Sequence, residues 1–113
     1  MILETGEKVY IVERRFFKED LRRHFVGEVI KCAEHTIRAK GYTWVFDAVK
    51  GEFIRKPEVR ERIIPLTGRL TINVIPSEVD LDKIKYAYLP KGGLVVTDGK
   101  EFALGITEFT VMR

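Results

Sequence analysis

One thiol and two imidazoles are the side chains of this sequence best suited to catalysis or metal binding. Cys32 and His35 lie three residues apart, and His24 is the only other histidine. A zinc site needs about four ligands, and a nucleophilic pair needs a third group that orients the base. On a strand, positions 32 and 35 also point to opposite faces. We therefore expect no catalytic residue, no metal site and no cofactor, and the chain is predicted not to be an enzyme.

Acidic and glycine-rich segments near the C-terminal end also suggest ligand chemistry at first sight. Glu78, Asp80 and Asp82 alternate, but the glycine and terminal glutamate of a calcium loop are missing. Negative charge at this spacing is typical of a helix start, so we predict a short helical turn near residues 77–83, capped by Ser77. Residues 91–93, Lys-Gly-Gly, lack the glycine spacing of a phosphate loop and predict a turn.

Positive charge is concentrated in one segment. Residues 14–24 hold five basic and two acidic side chains, whereas the rest of the chain holds 15 of each. Phe16 and Phe17 lie within this segment. Basic side chains neutralise phosphates and aromatic rings stack on bases, so the combination suits a binder of single-stranded nucleic acid. The alternative is that the two rings anchor the segment to the core while the charges face water.

An alternating aromatic row offers a second candidate surface. Tyr42, Trp44 and Phe46 share one side of a strand and lie beside several basic residues, including Arg55. If these rings are exposed, they form a stacking platform for bases. If they are buried, they form the largest piece of the hydrophobic core. The residues predicted to contact nucleic acid are Arg14, Arg15, Arg22, Arg23, Arg38, Lys40 and Lys56.

Short strands separated by turn residues account for most of the chain. Alternation predicts strands at 42–46, 52–55, 70–75 and 86–89, with further strand material at Val59 and at Ile63-Ile64. Asp98-Gly99 predicts a tight type I′ turn between strands at 94–97 and 100–104. Apolar residues recur every four positions within 19–40, which fits a helix ending at Gly41, but Gly27 and the residues around 33–35 favour a strand pair.

These elements predict an all-β fold, a small closed or half-closed barrel of short antiparallel strands, since closure removes exposed edges. The alternative is an α+β fold with a helix at about 19–40. The layout of short, bent strands after a basic segment resembles Sm-like and oligonucleotide-binding barrels in architecture. The Asp-x-x-x-Asn arrangement typical of Sm-like uridine sites is absent, because Gly51 stands four residues after Asp47, and no binding residue is transferred.

Length and composition predict one domain over 1–113, because single cores typically need about 100–150 residues. A lone cysteine suits a reducing compartment, and the N-terminal residues lack the apolar stretch of a secretory signal, so we expect a cytoplasmic protein without membrane contact. The predicted partner is RNA or single-stranded DNA. The alternative function is a non-catalytic structural or protein-interaction domain whose partner is itself or another protein.

Overall fold

The computed structural model describes residues 2–14, 23–90 and 92–106. The chain divides into two compact units, Met1–Ser77 and Glu78–Arg113. Every pair of neighbouring strands in the described residues is antiparallel, and the helical content there is one 3₁₀ turn. The predicted all-β class is therefore confirmed. A single domain over the whole chain stays a prediction.

The first unit is built around one long hairpin. Its strands are β1 (Lys8–Glu13), β2 (Arg23–Cys32), β3 (Thr36–Asp47), β4 (Glu52–Arg55), β5 (Arg60–Pro65) and β6 (Leu70–Ile75). The sheet order is β4-β3-β2-β1-β6, and β5 pairs with the first half of β3 while β4 pairs with its second half. The long strand β3 therefore carries two short strands along one edge.

The connection between β5 and β6 requires this sheet to curve strongly. The two strands pair with β3 and β1 respectively, so in a flat sheet they would lie about 19 Å apart, at about 4.8 Å for each neighbouring pair. Residues 66–69 join them, and this link spans about 17 Å only when fully extended. It is not extended, because the Leu70 amide donates to the Thr67 carbonyl at 3.2 Å. The described ladders contain no pairing of β5 with β6, so full barrel closure stays a prediction.

Strands β2 and β3 show that the alternative helix at 19–40 is wrong over the described residues 23–40. Phe25, Val29 and Ile37 are buried on one face of the sheet. A spacing of four is also a multiple of the strand period of two, so the same pattern marks one face of a strand as well as one face of a helix. The pairing of β2 with β3 shifts by one residue at a bulge between Val29 and Lys31, and the chain then turns between Cys32 and Thr36.

The two faces of this sheet bury different side chains. The cluster face holds the buried aliphatic and aromatic residues Val9, Ile11, Phe25, Val29, Ile37 and Ala39. The register places Tyr10, His24 and Trp44 on the opposite face, where Phe53 of β4 joins them. These four rings are also buried, with exposures of at most 8%. Both faces therefore contribute to packing.

The second unit contains the predicted run of three strands. A 3₁₀ turn (Leu81–Lys83) precedes β7 (Lys85–Tyr88), β8 (Leu94–Thr97) and β9 (Ala103–Gly105), in the order β7-β8-β9. The predicted cap at Ser77 is wrong, because the Asp80 carboxylate accepts the Asp82 amide at 3.0 Å and begins the turn. The cap thus lies three positions further along, where the Asp80 carboxylate satisfies the amide of the second residue of the turn.

The predicted two-residue turn at Asp98-Gly99 is also wrong. Thr97 pairs with Ala103, which leaves a five-residue loop at 98–102. Gly99 has a φ of 81°, whereas no non-glycine residue within the described ranges has a positive φ, and a type I′ turn needs two. The Thr97 hydroxyl donates to the Phe102 carbonyl at 2.6 Å and accepts the Gly99 amide at 3.0 Å, which stabilises the wider loop.

Candidate nucleic-acid interface

Five of the seven predicted contact residues fall within the described part of the chain, and all five are exposed. Arg15 and Arg22 lie outside it. Arg14 directly follows β1 and Arg23 begins β2, so they stand at the two ends of the β1–β2 connection. Arg38 and Lys40 lie in the first half of β3, and Lys56 follows β4.

The strand register separates these residues into groups. Arg38 and Lys40 share the opposite face of β3, since they are two positions apart. Arg23 is paired with Val45, seven positions further along β3 than Arg38, and it projects from the cluster face. The Lys56 amide donates to the Thr43 carbonyl at 2.9 Å. Thr43 lies on the cluster face of β3, so Lys56, directly across from it, also lies on that side. The structure therefore brings Arg38 and Lys40 together and keeps Arg23 and Lys56 on the other side.

The aromatic row on β3 is largely packed. Trp44 is 8% exposed, and Tyr42 and Phe46 are half-buried. The Phe46 and Phe53 rings meet edge to face, with centroids 5.2 Å apart. The row is therefore mainly core, the second of the two arrangements that the sequence allows, and it is not an open platform of three rings. Thr43 on the other side of the strand is buried as well, at 5% exposure.

Arg55 and Lys31 are basic residues of this face that the sequence-based contact set omits, and Arg55 is the one that contacts the aromatic row. Its Cζ atom lies 4.3 Å from the centre of the Tyr42 ring, a cation–π distance, and the residue is exposed. A turn closed by the Gly51 amide and the Asp47 carbonyl joins β3 to β4 and pairs Asp47 with Glu52. Counting back from that turn pairs Arg55 with Trp44, diagonal to Tyr42. The register of this hairpin is the signal that predicts the contact.

The charges around Arg38 and Lys40 are mixed but positive in sum. Lys40 is flanked across the strands by Glu28 on β2 and Glu61 on β5. Arg38 forms an ion pair with Glu61 at 3.8 Å, and both side chains are about half exposed. We call the surface formed by Lys31, Arg38, Lys40, Tyr42 and Arg55 the basic face. Its four cations exceed the two carboxylates, Glu28 and Glu61, that flank Lys40 within the described strands. An exposed pair of this kind contributes at most about 1 kcal/mol, so a polyanion can displace it.

The thiol and imidazole groups do not come together. His24 is buried near the start of β2, where its Nδ1 lies 2.6 Å from the Tyr10 hydroxyl and its ring stacks on Phe53 with centroids 4.7 Å apart. Cys32 ends the same strand and packs against the cluster face. His35 is exposed, 3.7 Å from Glu34. Within residues 2–14, 23–90 and 92–106, no three histidine, cysteine or carboxylate side chains are grouped as metal ligands would be.

The glycines at 92 and 93 form the turn that the sequence predicts. Both have positive φ angles, 86° and 102°, and the Gly92 amide donates to the Leu89 carbonyl at 3.0 Å.

Comparison of the chain with protein-family models, with curated proteins and with solved structures gave no match. In the described part of the chain, no helical segment has both the length and the apolar character needed to cross a bilayer.

Proposed function

We propose that this chain is a non-catalytic module that binds single-stranded nucleic acid through the basic face. The observation that carries the proposal is that three exposed cations, Arg38, Lys40 and Arg55, lie on the same face of adjoining strands, with Arg55 over the Tyr42 ring. Cations of this kind neutralise phosphates, and each phosphate contact releases condensed counterions. We also propose that this module is located in the cytoplasm.

The spacing of the basic side chains along β3 suits an extended polyanion. Side chains two positions apart on a strand are separated by about 7 Å and point the same way, so Arg38 and Lys40 present charges in a row along the strand. Lys31 lies directly across from Arg38 and widens that row. The second group, Arg14 and Arg23, borders the β1–β2 connection and is a separate candidate contact.

Salt-dependent binding of a fluorescent single-stranded RNA tests the proposal. For single strands, the slope of log K against log salt is about −0.7 for each phosphate contact. The double variant Arg38→Gln/Lys40→Gln should therefore weaken binding and reduce the slope by about 1.4. Lys100→Gln, at an exposed lysine of the second unit, is the matched control and should change neither value. An unchanged slope in the double variant would exclude Arg38 and Lys40 as contacts, and Arg14→Gln/Arg23→Gln would then test the other group.

A second candidate function is assembly through strand edges. Among the described ladders, β6 pairs with β1 alone and β5 with β3 alone. Val74 on β6 and Ile63 on β5 are 56% and 66% exposed. An edge strand with exposed apolar side chains can add a strand from another chain. Sedimentation over a range of protein concentrations tests this candidate, and a strict monomer at the highest concentration would count against self-association.

A further inference from the structure

We propose that the Arg55 guanidinium, held over the Tyr42 ring, is a stacking surface for one base of a single-stranded nucleic acid. The inference rests on the proposed function and specifies how the basic face would distinguish a nucleotide strand from any other polyanion. Its structural basis is the 4.3 Å distance from the Arg55 Cζ atom to the Tyr42 ring centre, together with the exposure of Arg55.

A guanidinium group that lies over a ring is restrained in position before any ligand arrives. Bases stack on arginine planes as well as on aromatic rings, because the guanidinium is planar, delocalised and weakly hydrated. An ammonium group cannot replace it in this role, since a lysine carries the same charge without a plane. The Tyr42–Arg55 pair therefore combines a positive charge with a flat surface.

The neighbours of this pair favour a strand whose bases are accessible. Trp44, the next ring along β3, is 8% exposed and has little surface for a base, so Arg55 provides the exposed planar group at this position. Lys40 lies two residues before Tyr42 on the same face, about 7 Å along the strand, and Arg38 lies one such step further. A base on Arg55 would thus be followed by phosphates opposite Lys40 and Arg38. In a duplex the base faces are covered by their stacked neighbours, so a single strand is the ligand that fits.

The test compares two probes of equal length and charge. One is fluorescein-labelled dodecauridylate, and the other is a labelled abasic 12-mer with the same backbone and no bases. Arg55→Lys keeps the charge and removes the plane. It should weaken dodecauridylate binding about tenfold, from the loss of one stacked base, with the abasic probe changed less than about twofold and the salt slope unchanged. The matched control is Arg62→Lys, at an exposed arginine of β5, which should bind both probes like the unaltered protein.

Tyr42→Leu is a second variant that removes the ring beneath the guanidinium and keeps an apolar side chain. It should also lose affinity for dodecauridylate selectively, and its circular dichroism spectrum should match that of the unaltered protein. Equal losses on both probes, or no loss in Arg55→Lys, would overturn the stacking inference while leaving the proposed function in place. If the unaltered protein binds neither probe at low salt, the proposed function fails and the inference fails with it.

Discussion

Replacing Gly41 with alanine should strongly destabilise the first unit. Gly41 faces Gly27 across the β2–β3 ladder, where the two backbones approach closely. A Cβ atom at position 41 would overlap the Val26 carbonyl oxygen and lie 2.5 Å from the Gly27 Cα and 2.8 Å from the Val26 carbonyl carbon. These are backbone atoms of a paired strand, so they cannot rotate away as a side chain would. Overpacking costs about 1–3 kcal/mol, and we expect about 3 kcal/mol or more in this position.

Urea unfolding followed by the fluorescence of Trp44, the single tryptophan, measures this effect. With a slope of about 1.5–2 kcal/mol per molar urea, a loss of 3 kcal/mol lowers the midpoint by about 1.5–2 M. Gly68→Ala is the matched control, because a Cβ atom there meets nothing within 4 Å and the backbone φ is not positive. That variant should stay within about 0.5 kcal/mol of the parent. A Gly41→Ala midpoint equal to that of Gly68→Ala would refute the close approach of β2 and β3.

Three further stability predictions concern buried or half-buried hydroxyl groups. Thr43→Val should stabilise the protein by about 1 kcal/mol, because the Thr43 hydroxyl is buried and has no hydrogen-bond partner in the described part of the chain. Thr97→Val should destabilise the protein by a similar amount, because it removes a hydroxyl that donates to the Phe102 carbonyl. Tyr10→Phe should lower stability by about 1–2 kcal/mol, because it removes the hydroxyl that lies 2.6 Å from the buried Nδ1 of His24. Urea midpoints check all three, and a Thr43→Val midpoint below that of the parent, or a Tyr10→Phe midpoint equal to it, would contradict the reasoning.

Several strands and turns are predicted correctly because the residues that determine them are close together in the sequence. The alternation and β-branched residues at 70–75 predict β6 with its observed bounds. Pro57 ends the strand before it and the turn at 47–51 separates β3 from β4, as glycine and proline positions indicate. In the C-terminal hairpin the same reasoning fails, because the side chains of Thr97 and Asp98 bond to nearby backbone groups and widen the loop.

The candidate site depends on information that is not local. The sequence by itself determined which residues are basic or aromatic and which of them alternate along one strand. Only the tertiary structure decided that Lys31 lies across from Arg38 while Arg23 projects from the other side, because the β2–β3 register and the β2 bulge assign each of these side chains to a face. A shift of one residue in that register would exchange the two faces, and pairing between distant segments sets it.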